Sequence, residues 1–599
     1  MKRIRRWLFI CILAGFPACL MAQQSSYFLH TVVKGESLYS IAAMYNVPSA
    51  DIVRLNPGSD KVIKAGAQLR IPQNATKNQR QFHTIQPGET LYRLTQLYGV
   101  SVQSICEANP GLSAQNFRSG QVIVIPPRDT VSTALTPSAA QSDTTPVTTQ
   151  PQRESFRDMH KVQRKETIFS ISRQYGLTEE ELIAANPELR TEKLKKGHFL
   201  KIPFPSKSAT KPTQPAVTTT PTDTELFDRA KPSSKQKDRL RVAVMLPFHL
   251  NGSNNAEQAR MVEYYEGFLM AVNQLKKNGT SFDIYTYDTQ SSASHIRSLL
   301  SGSEMKNMDL IIGPGHSENI DAISAFSKKN KIRMVVPFTP KCDEVFNNPY
   351  LYLINTPQSY LYSEVYEHFI RKFRSENIIF VDAGDGNTDK REFIGGFKQS
   401  LKDEGITFKE ISNPTKERIE AVLKQGVENM IIPTSGSNVA LIKLLPYLKA
   451  LKLSWENDGT PDKYSIHLFG YPEWQTYTTD HLDDFYTFDT YFYTSFYANN
   501  LSVSVVNFQQ EFRQWYHKEI LNTYPKYAIL GYETAYYLLK GMAQYGDSLE
   551  ENLNRIAVSP IQTSFKFERV NNWGGFINRK VFFIHFTKEH ELIKMDFDQ

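Results

Sequence analysis

The chain has 599 residues, enough for several domains, and its hydrophobic (40%) and charged (22%) contents are ordinary for globular proteins. Its formal net charge is +7, but four positive charges lie within the first six residues, and +3 remains without them. So weak an excess gives no support to a nucleic-acid partner, and we expect none.

The N-terminus has the pattern of a secretory signal. Positive charges come first, an apolar run follows over residues 7–18, and Leu20-Met21-Ala22 places the small residue Ala22 at a cleavage point before Gln23. The run is shorter than the ~20 apolar residues that span a bilayer. We predict a signal peptide over residues 1–22. Acylation of Cys19, as in a lipoprotein, is the alternative, and Phe16 and Pro17 before it fit that pattern poorly.

Only Cys106 and Cys342 remain once the leader is removed. They fall in different predicted domains, so two free, buried thiols are favoured over a disulfide. The sequence contains no CxxC and no Cys/His spacing typical of a metal site, and we predict neither a metal nor a cofactor.

Three segments repeat along the first third of the chain, over residues 30–72, 83–126 and 160–203. Their openings are HTVVKGESLYSIAAMYNV, HTIQPGETLYRLTQLYGV and HKVQRKETIFSISRQYGL, and their closings are KAGAQLRIP, RSGQVIVIP and KKGHFLKIP. Each predicts the order strand, helix, helix, strand. In the first repeat Ser37 is a helix N-cap, and Pro57 ends the second helix because it disfavours the helical conformation of the residue before it.

This pattern resembles the LysM domain, and we place three such modules at residues 28–73, 81–127 and 158–204. The family binds glycans that contain N-acetylglucosamine, and in bacteria the glycan is peptidoglycan. Its groove lies between the first strand–helix loop and the second helix–strand loop. The resemblance implies glycan binding by Gly35, Glu36, Ser37, Leu38, Asn56 and Pro57; by Gly88, Glu89, Thr90, Leu91, Asn109 and Pro110; and by Glu166, Thr167, Ile168, Asn186 and Pro187.

A structural role competes with glycan binding at these positions. Ser37, Thr90 and Thr167 suit helix N-caps, and the Asn-Pro pairs suit helix ends, whether or not a sugar binds. The third module also has Lys165 where the others have glycine, so we expect its groove to bind most weakly.

Two stretches rich in Thr, Ser and Pro lie on either side of the third module, at residues 128–157 and 205–238. Such composition buries too little apolar surface to fold, so we predict disordered linkers and modules carried on an extended string.

Residues 239–599 alternate between strand and helix patterns, which predicts an α/β doubly wound fold. The motifs DLIIGPGHS, MVVPFTP, NIIFVDAGDG and LGYETAYYLL resemble the type I periplasmic binding proteins, the amino-acid-binding group that includes Leu/Ile/Val-binding proteins. The predicted fold class is therefore multidomain, with three small α+β modules followed by an α/β domain of two lobes.

The resemblance implies a ligand cleft between the lobes. Matched residues are His316, Ser317, Phe338 and Thr339 in the first lobe, and Thr434, Ser435, Glu473 and Trp474 in the second. Glu473 would hold a ligand ammonium. Pro337 and Pro340 remove two backbone N–H groups that a ligand carboxylate would use, so a retained fold without a small ligand is an equal alternative.

These observations predict an exported protein of the periplasm, or of the periplasmic face of an outer membrane, that binds peptidoglycan. Its two-lobed domain would act as an adaptor or sensor in cell-wall metabolism, with a cell-wall synthase or hydrolase as partner. The alternative is a wall-anchored binding protein for an amino acid or peptide in ABC-type uptake. A cell-wall hydrolase is disfavoured, because the sequence contains no HExxH, no P-loop and no complete nucleophile elbow.

Overall fold

The computed structural model describes residues 27–33, 36–60, 63–73, 80–127, 156–162, 167–168, 171–172, 179–190, 199–203, 221–230, 239–250, 252, 255–290, 292–461 and 463–598. The predicted signal peptide lies outside them, as do residues 128–155 of the first predicted linker. The chain forms two compact units, one of residues 1–129 with 222–599 and one of residues 130–221.

The first two modules have the predicted strand–helix–helix–strand order, with the two strands of each paired antiparallel. Ser37 and Thr90 cap the first helix of their modules, each accepting a backbone N–H three residues on. The elements are β1 (Tyr27–Thr31), α1 (Leu38–Tyr45), α2 (Ser49–Leu55), β2 (Gln68–Pro72), β3 (Gln81–Thr84), α3 (Leu91–Tyr98), α4 (Val102–Ala108) and β4 (Val122–Ile125).

The third module belongs to the second unit. Its described elements are β5 (Phe156–Lys161), α5 (Glu179–Ala185) and β6 (Phe199–Pro203), and β5 pairs antiparallel with β6. A small core of its own includes Ile171, Leu182 and Leu200, all fully buried.

The second predicted linker contains a helix, α6 (Asp223–Ala230). The prediction of disorder over residues 205–238 is therefore wrong for this segment. Leu226 and Phe227 are buried among the core residues of the second module. The prediction rested on the average composition of the linker, which gave no weight to this apolar pair. Burial of these two large side chains stabilises the helix, whereas the flanking Thr- and Pro-rich sequence has little apolar surface to bury.

The first lobe has a seven-stranded sheet in which one edge strand runs antiparallel to its neighbour. Its spatial order is β17 (Phe567–Arg569), β18 (Phe576–Asn578), β11 (Leu351–Leu353), β10 (Arg333–Val336), β9 (Leu310–Ile312), β7 (Arg239–Leu246) and β8 (Ser281–Asp288). Its helices are α7 (Ala256–Lys276), α8 (Ala293–Leu300), α9 (Ile320–Asn330), α15 (Val503–Tyr516) and α16 (Tyr527–Tyr545).

The second lobe also has a seven-stranded sheet, parallel over five strands and antiparallel over the last two pairings. Its order is β13 (Phe408–Ser412), β12 (Asn377–Asp382), β14 (Glu428–Pro433), β15 (Ser465–Gly470), β16 (Thr490–Thr494), β19 (Phe582–Phe586) and β20 (Leu592–Asp596). Its helices are α10 (Gln358–Phe373), α11 (Arg391–Asp403), α12 (Lys416–Glu420), α13 (Asn438–Asn457) and α14 (Thr478–Thr487). The predicted α/β fold with two lobes is confirmed.

Helices α7 and α16 cross at close range on one face of the first sheet. A Cβ at Gly267 would lie 1.8 Å from the carbonyl oxygen of Ala528, and one at Gly531 would lie 1.9 Å from that of Tyr264. Glycine is therefore required at both positions by backbone approach, and Gly531 belongs to the LGYETAYYLL motif that carried the sequence resemblance.

The first two modules pack against loops of the first lobe instead of lying on a free string. Trp573, in the loop between β17 and β18, is only 4% exposed. Its ring lies 5.8 Å from that of Tyr45 and 5.3 Å from that of Phe82, centroid to centroid, and Phe82 stacks on Phe28 at 5.1 Å. The two modules and the first lobe thus share one hydrophobic core.

Polar contacts surround this aromatic cluster. The Tyr39 hydroxyl donates to Asp343 at 2.7 Å, and Arg80 donates to the side-chain oxygen of Asn347 at 2.6 Å. The prediction of freely placed modules is therefore wrong for the first two.

We expect Trp573→Ala to release the two modules from the first lobe. Loss of a buried tryptophan costs about 3–5 kcal/mol, and here much of that loss falls on one interface. Limited proteolysis should then cut the chain between residues 73 and 81 and after residue 127 faster than in wild type. The matched control is Trp515→Ala, because Trp515 is 42% exposed. Equal cleavage rates in the two variants would show that Trp573 does not hold the modules.

Candidate functional site

The asparagine of each Asn-Pro pair hydrogen-bonds the second helix of its module to the second strand. The Asn56 amide donates to the carbonyls of Ile52 and Arg70, both at 2.8 Å, and its side-chain oxygen accepts the Arg70 N–H at 2.9 Å. Asn109 and Asn186 make the same three bonds in their modules. These side chains were assigned to the glycan groove, and the geometry gives them a structural role.

The acidic groove residues are also held within their modules. Glu36 accepts from His30 at 2.8 Å and from the Val33 backbone at 2.7 Å, and Tyr45 bonds the other His30 nitrogen at 2.7 Å. The second module repeats this arrangement with Glu89, His83 and Tyr98. These Glu–His–Tyr hydrogen bonds were not predicted, although His, Glu and Tyr recur at fixed spacing in the repeats.

The electrostatics of Glu89 fit this role. Partial burial disfavours its carboxylate, but the Gln86 backbone N–H and the His83 ring outweigh burial and hold the pKa of Glu89 below its ordinary value. The ionised carboxylate therefore stabilises the loop above the unfolded-state pKa, and that contribution is lost as the pH falls through the folded-state pKa.

The remaining predicted groove residues differ in exposure. Pro57, Gly88, Thr90, Pro110 and Thr167 are exposed, Ser37, Leu38 and Ile168 are half-buried, and Leu91 is fully buried. Gly35, Glu166 and Lys165 lie outside the described residues, as does the side chain of Pro187.

Helix α6 contacts both predicted groove loops of the second module. Asp223 accepts the backbone N–H of Leu91 at 2.8 Å, at the end of the first groove loop. Phe227 lies 6.0 Å from Phe117 of the second groove loop, centroid to centroid. Leu226 and Phe227 are buried in the same apolar cluster as Leu91 and Leu112 of this module.

The second groove loop of this module is also fixed by the first lobe. Gly111 donates its backbone N–H to the carbonyl of Asn572 at 2.8 Å, and the Asn572 amide donates to the Val122 carbonyl at 2.9 Å. A Cβ at Gly111 would lie 2.5 Å from the Arg569 side chain. The groove of the second module is thus bounded by its own chain on two sides.

In the interlobe cleft, the predicted first-lobe residues are partly engaged. Phe338 packs between Tyr264 and Tyr527, with centroids 4.9 and 5.6 Å away. The Thr339 hydroxyl accepts the Lys341 backbone N–H at 3.1 Å, whereas Ser317 is exposed.

The predicted second-lobe residues are more fully engaged. Trp474 is completely buried and stacks on Phe485 at 5.5 Å, so it belongs to the core of the lobe. Ser435 is 3% exposed, and its hydroxyl accepts the Ser437 N–H at 3.2 Å. Thr434 is half-buried, and its backbone N–H donates to the Val381 carbonyl.

Glu473, the predicted ammonium-binding acid, already has a cation. Its carboxylate lies 2.5 Å from the Lys390 ammonium, and that ammonium also lies 4.9 Å from the centroid of the Tyr471 ring. The Lys390 side chain is 15% exposed and that of Glu473 is 31% exposed. The lobe neutralises this acid by itself.

His316 lies in a cluster that the sequence analysis did not anticipate. Its Nε2 is 2.6 Å from a carboxylate oxygen of Glu257, and Nε2 of His249 is 3.4 Å from the other oxygen. These three residues come from separate segments, so no local spacing could have indicated them.

The two cysteines that the structure describes do not form a disulfide. Cys106 and Cys342 are both free, the second buried and the first half-buried. In the part of the chain that the structure describes, none of the helices combines the length and apolar character needed to cross a membrane.

The family of the repeats is decided by comparison with known domain families. The LysM domain matches residues 30–72, 83–126 and 160–203. The chain contains three LysM domains.

Curated relatives cover only part of the chain. The "N-acetylmuramoyl-L-alanine amidase sle1" of Staphylococcus aureus (strain USA300) is 24% identical over 184 residues, which are 29% of this chain and 52% of the relative. The "Probable autolysin SsaALP" of strain NCTC 8325 / PS 47 is 33% identical over 106 residues, 16% of this chain and 40% of the relative. The chain thus spans about half the length of the curated relatives it matches, or less.

Solved structures resemble the two-lobed part. A putative branched-chain amino acid ABC transporter protein from Rhodospirillum rubrum is 14% identical, covers 60% of this chain and 100% of its own, and has a TM-score of 0.43. An ABC transporter substrate-binding protein from Desulfitobacterium hafniense, in complex with Leu, is 13% identical with a TM-score of 0.35, covering 60% of this chain and 100% of its own.

Because Lys390 already neutralises Glu473, we expect amino acids to leave the melting temperature of the chain unchanged. We expect Glu473→Gln to lower stability by about 1 kcal/mol, the cost of losing a half-buried charged contact. Thermal shift with each amino acid measures both effects. Glu404→Gln is the control, because it breaks the exposed pair with Arg374. A ligand-induced rise in the melting temperature that Glu473→Gln abolishes would restore the ammonium-binding role.

Proposed function

We propose that this is an exported cell-envelope protein that binds peptidoglycan through its LysM domains. Its two-lobed domain serves as a docking platform in cell-wall metabolism. The observation that carries the proposal is the presence of three LysM domains, two of which share a core with the first lobe. Through that shared core, wall binding by the modules would fix the position of the first lobe relative to the glycan.

The first and third modules are proposed to carry the glycan. The first module meets the first lobe through Tyr39 and Tyr45 of α1, which lie outside its two groove loops. In the second module, Asp223 of α6 accepts the Leu91 N–H, and α6 packs on apolar side chains that a sugar ring would contact. The second module is therefore proposed to act as a structural bridge while α6 remains bound.

An adaptor role is proposed in preference to solute uptake because two of the predicted cleft residues are already paired or buried. Glu473 is paired with Lys390, and Trp474 is buried in the second lobe, so neither presents a free group to an amino acid. A cell-wall synthase or hydrolase is the proposed protein partner. The proposal assigns no catalytic role to the chain.

We expect the chain from Gln23 onward to sediment with purified peptidoglycan. Each LysM site is shallow and weak, and two linked sites raise the total affinity by about 100-fold or more when both reach the same glycan mesh. Soluble chito-oligosaccharide should release the bound protein.

The control for this experiment is a chain that begins at residue 239 and lacks all three modules. It should stay in the supernatant. The proposal fails if the full chain also stays there, or if the truncated chain sediments equally well.

We expect Leu226→Ser with Phe227→Ser to open the groove of the second module. Serine removes the apolar contacts that hold α6 on the groove while leaving the Asp223 carboxylate in place. Calorimetric titration with chito-oligosaccharide should then show one more binding site per chain than in wild type.

The matched control is Leu501→Ser with Val503→Ser, because these side chains are 89% and 75% exposed. It should bind the same number of oligosaccharides as wild type. An unchanged number in the α6 variant, with the second module still folded by circular dichroism, would show that α6 does not block a glycan site.

A further inference from the structure

Three chemically matched side chains converge at the C-terminal edge of the first-lobe sheet. His249 follows β7, Glu257 lies in the first turn of α7, and His316 follows β9. Strands β7 and β9 are neighbours, and the chain runs from β7 to β8 on one side of this pair and from β9 to β10 on the other. This is the point where strand order reverses, and ligands of open α/β sheets bind there.

The distances suit ligands of one metal ion. Nε2 of His316 and Nε2 of His249 lie 2.6 and 3.4 Å from the two Glu257 oxygens, and the three ligand atoms all lie within 4.8 Å of one another. Ligands held at 2.0–2.2 Å from a tetrahedral zinc ion stand roughly 3.3–3.6 Å apart. Shifts of a few tenths of an ångström to about 1 Å would complete such a geometry.

The two imidazole nitrogens are otherwise unsatisfied. Among the described residues, neither the His249 Nε2 nor the His316 Nε2 has a hydrogen-bond partner of acceptable geometry, and both atoms are shielded from solvent. A divalent cation among the three ligand atoms would satisfy both nitrogens and the carboxylate at once. The side chains themselves are 23–33% exposed, so the cluster lies near the surface of the lobe and small side-chain movements would admit an ion.

The backbone of His249 has an unusual conformation that a hydrogen bond to Asp288 stabilises. Its φ is 50°, in the left-handed region that histidine seldom adopts. The Asp288 carboxylate accepts the backbone N–H groups of His249 and Leu250 at 3.1 and 2.9 Å, which offsets that strain. A strained residue fixed by an acid of the neighbouring strand is typical of a binding site.

We propose that His249, Glu257 and His316 form a binding site for a divalent transition metal, with zinc as the best match. Imidazole nitrogens and one carboxylate oxygen are ligands that suit zinc. Three protein ligands leave at least one coordination position open. That position accepts water or an oxygen donor of whatever enters the cleft, so the metal would give the first lobe a recognition group that does not depend on Glu473.

The test is metal titration of the chain from Gln23 onward after treatment with chelator. Zinc is followed by calorimetry, and cobalt by visible absorption, which reports imidazole and carboxylate ligation. We expect one zinc equivalent in wild type and a melting temperature that rises with zinc. Loss of a direct ligand should weaken this site more than the 10–100-fold typical of lost outer-shell partners.

The variants are chosen to fold. His249→Asn keeps a residue that tolerates positive φ, and His316→Asn and Glu257→Gln keep polar side chains of similar size. Each should lose the zinc equivalent and the cobalt spectrum while melting as wild type does in chelator. His517→Asn is the control, because it removes an exposed imidazole of the same lobe.

Either of two results would overturn the site. One is a wild-type chain that binds no zinc at a zinc concentration of about 100 μM, which is well above the dissociation constant expected for three protein ligands. The other is zinc binding that persists unchanged in all three ligand variants, which would place it elsewhere, for example at the His467, Asp489 and His585 group of the second lobe.

Discussion

The packing of Trp573 against Tyr45 and Phe82 is the contact on which the architecture of the larger unit depends. It joins the hydrophobic cores of two LysM domains to the core of the first lobe. Because aromatic side chains bury a large area in one place, a single loop between two short strands can hold two modules. The position of the first lobe relative to these modules is therefore set by packing and not by a linker.

This packing changes how the LysM residues are understood. A LysM module is too small to bury much apolar surface, and here the first two gain core from the first lobe and from α6. The side chains that the resemblance placed in the grooves, such as Asn109 and Glu89, hold each module's own loops. The proposed glycan binding would therefore use backbone groups and apolar side chains of the loops, and in the second module Leu226 and Phe227 pack beside them.

Local elements were predictable from the sequence because their signals are local. The first two repeats have the predicted order of strands and helices, and residues 239–599 contain the predicted alternation of strands and helices. The strands β17 to β20 were not predicted, because they complete the edges of both sheets through pairings distant in sequence. The burial of Trp474 and the pairing of Glu473 with Lys390 were missed for the same reason.

The central claim is that this protein holds peptidoglycan through its LysM loops. Hydrogen–deuterium exchange of the chain from Gln23 onward, with and without soluble peptidoglycan fragments, tests it most directly. The account predicts slower exchange in the groove loops of the first and third modules, and little change at residues 88–91 beneath α6. Protection confined to residues 239–599, or absent from every module, would contradict it.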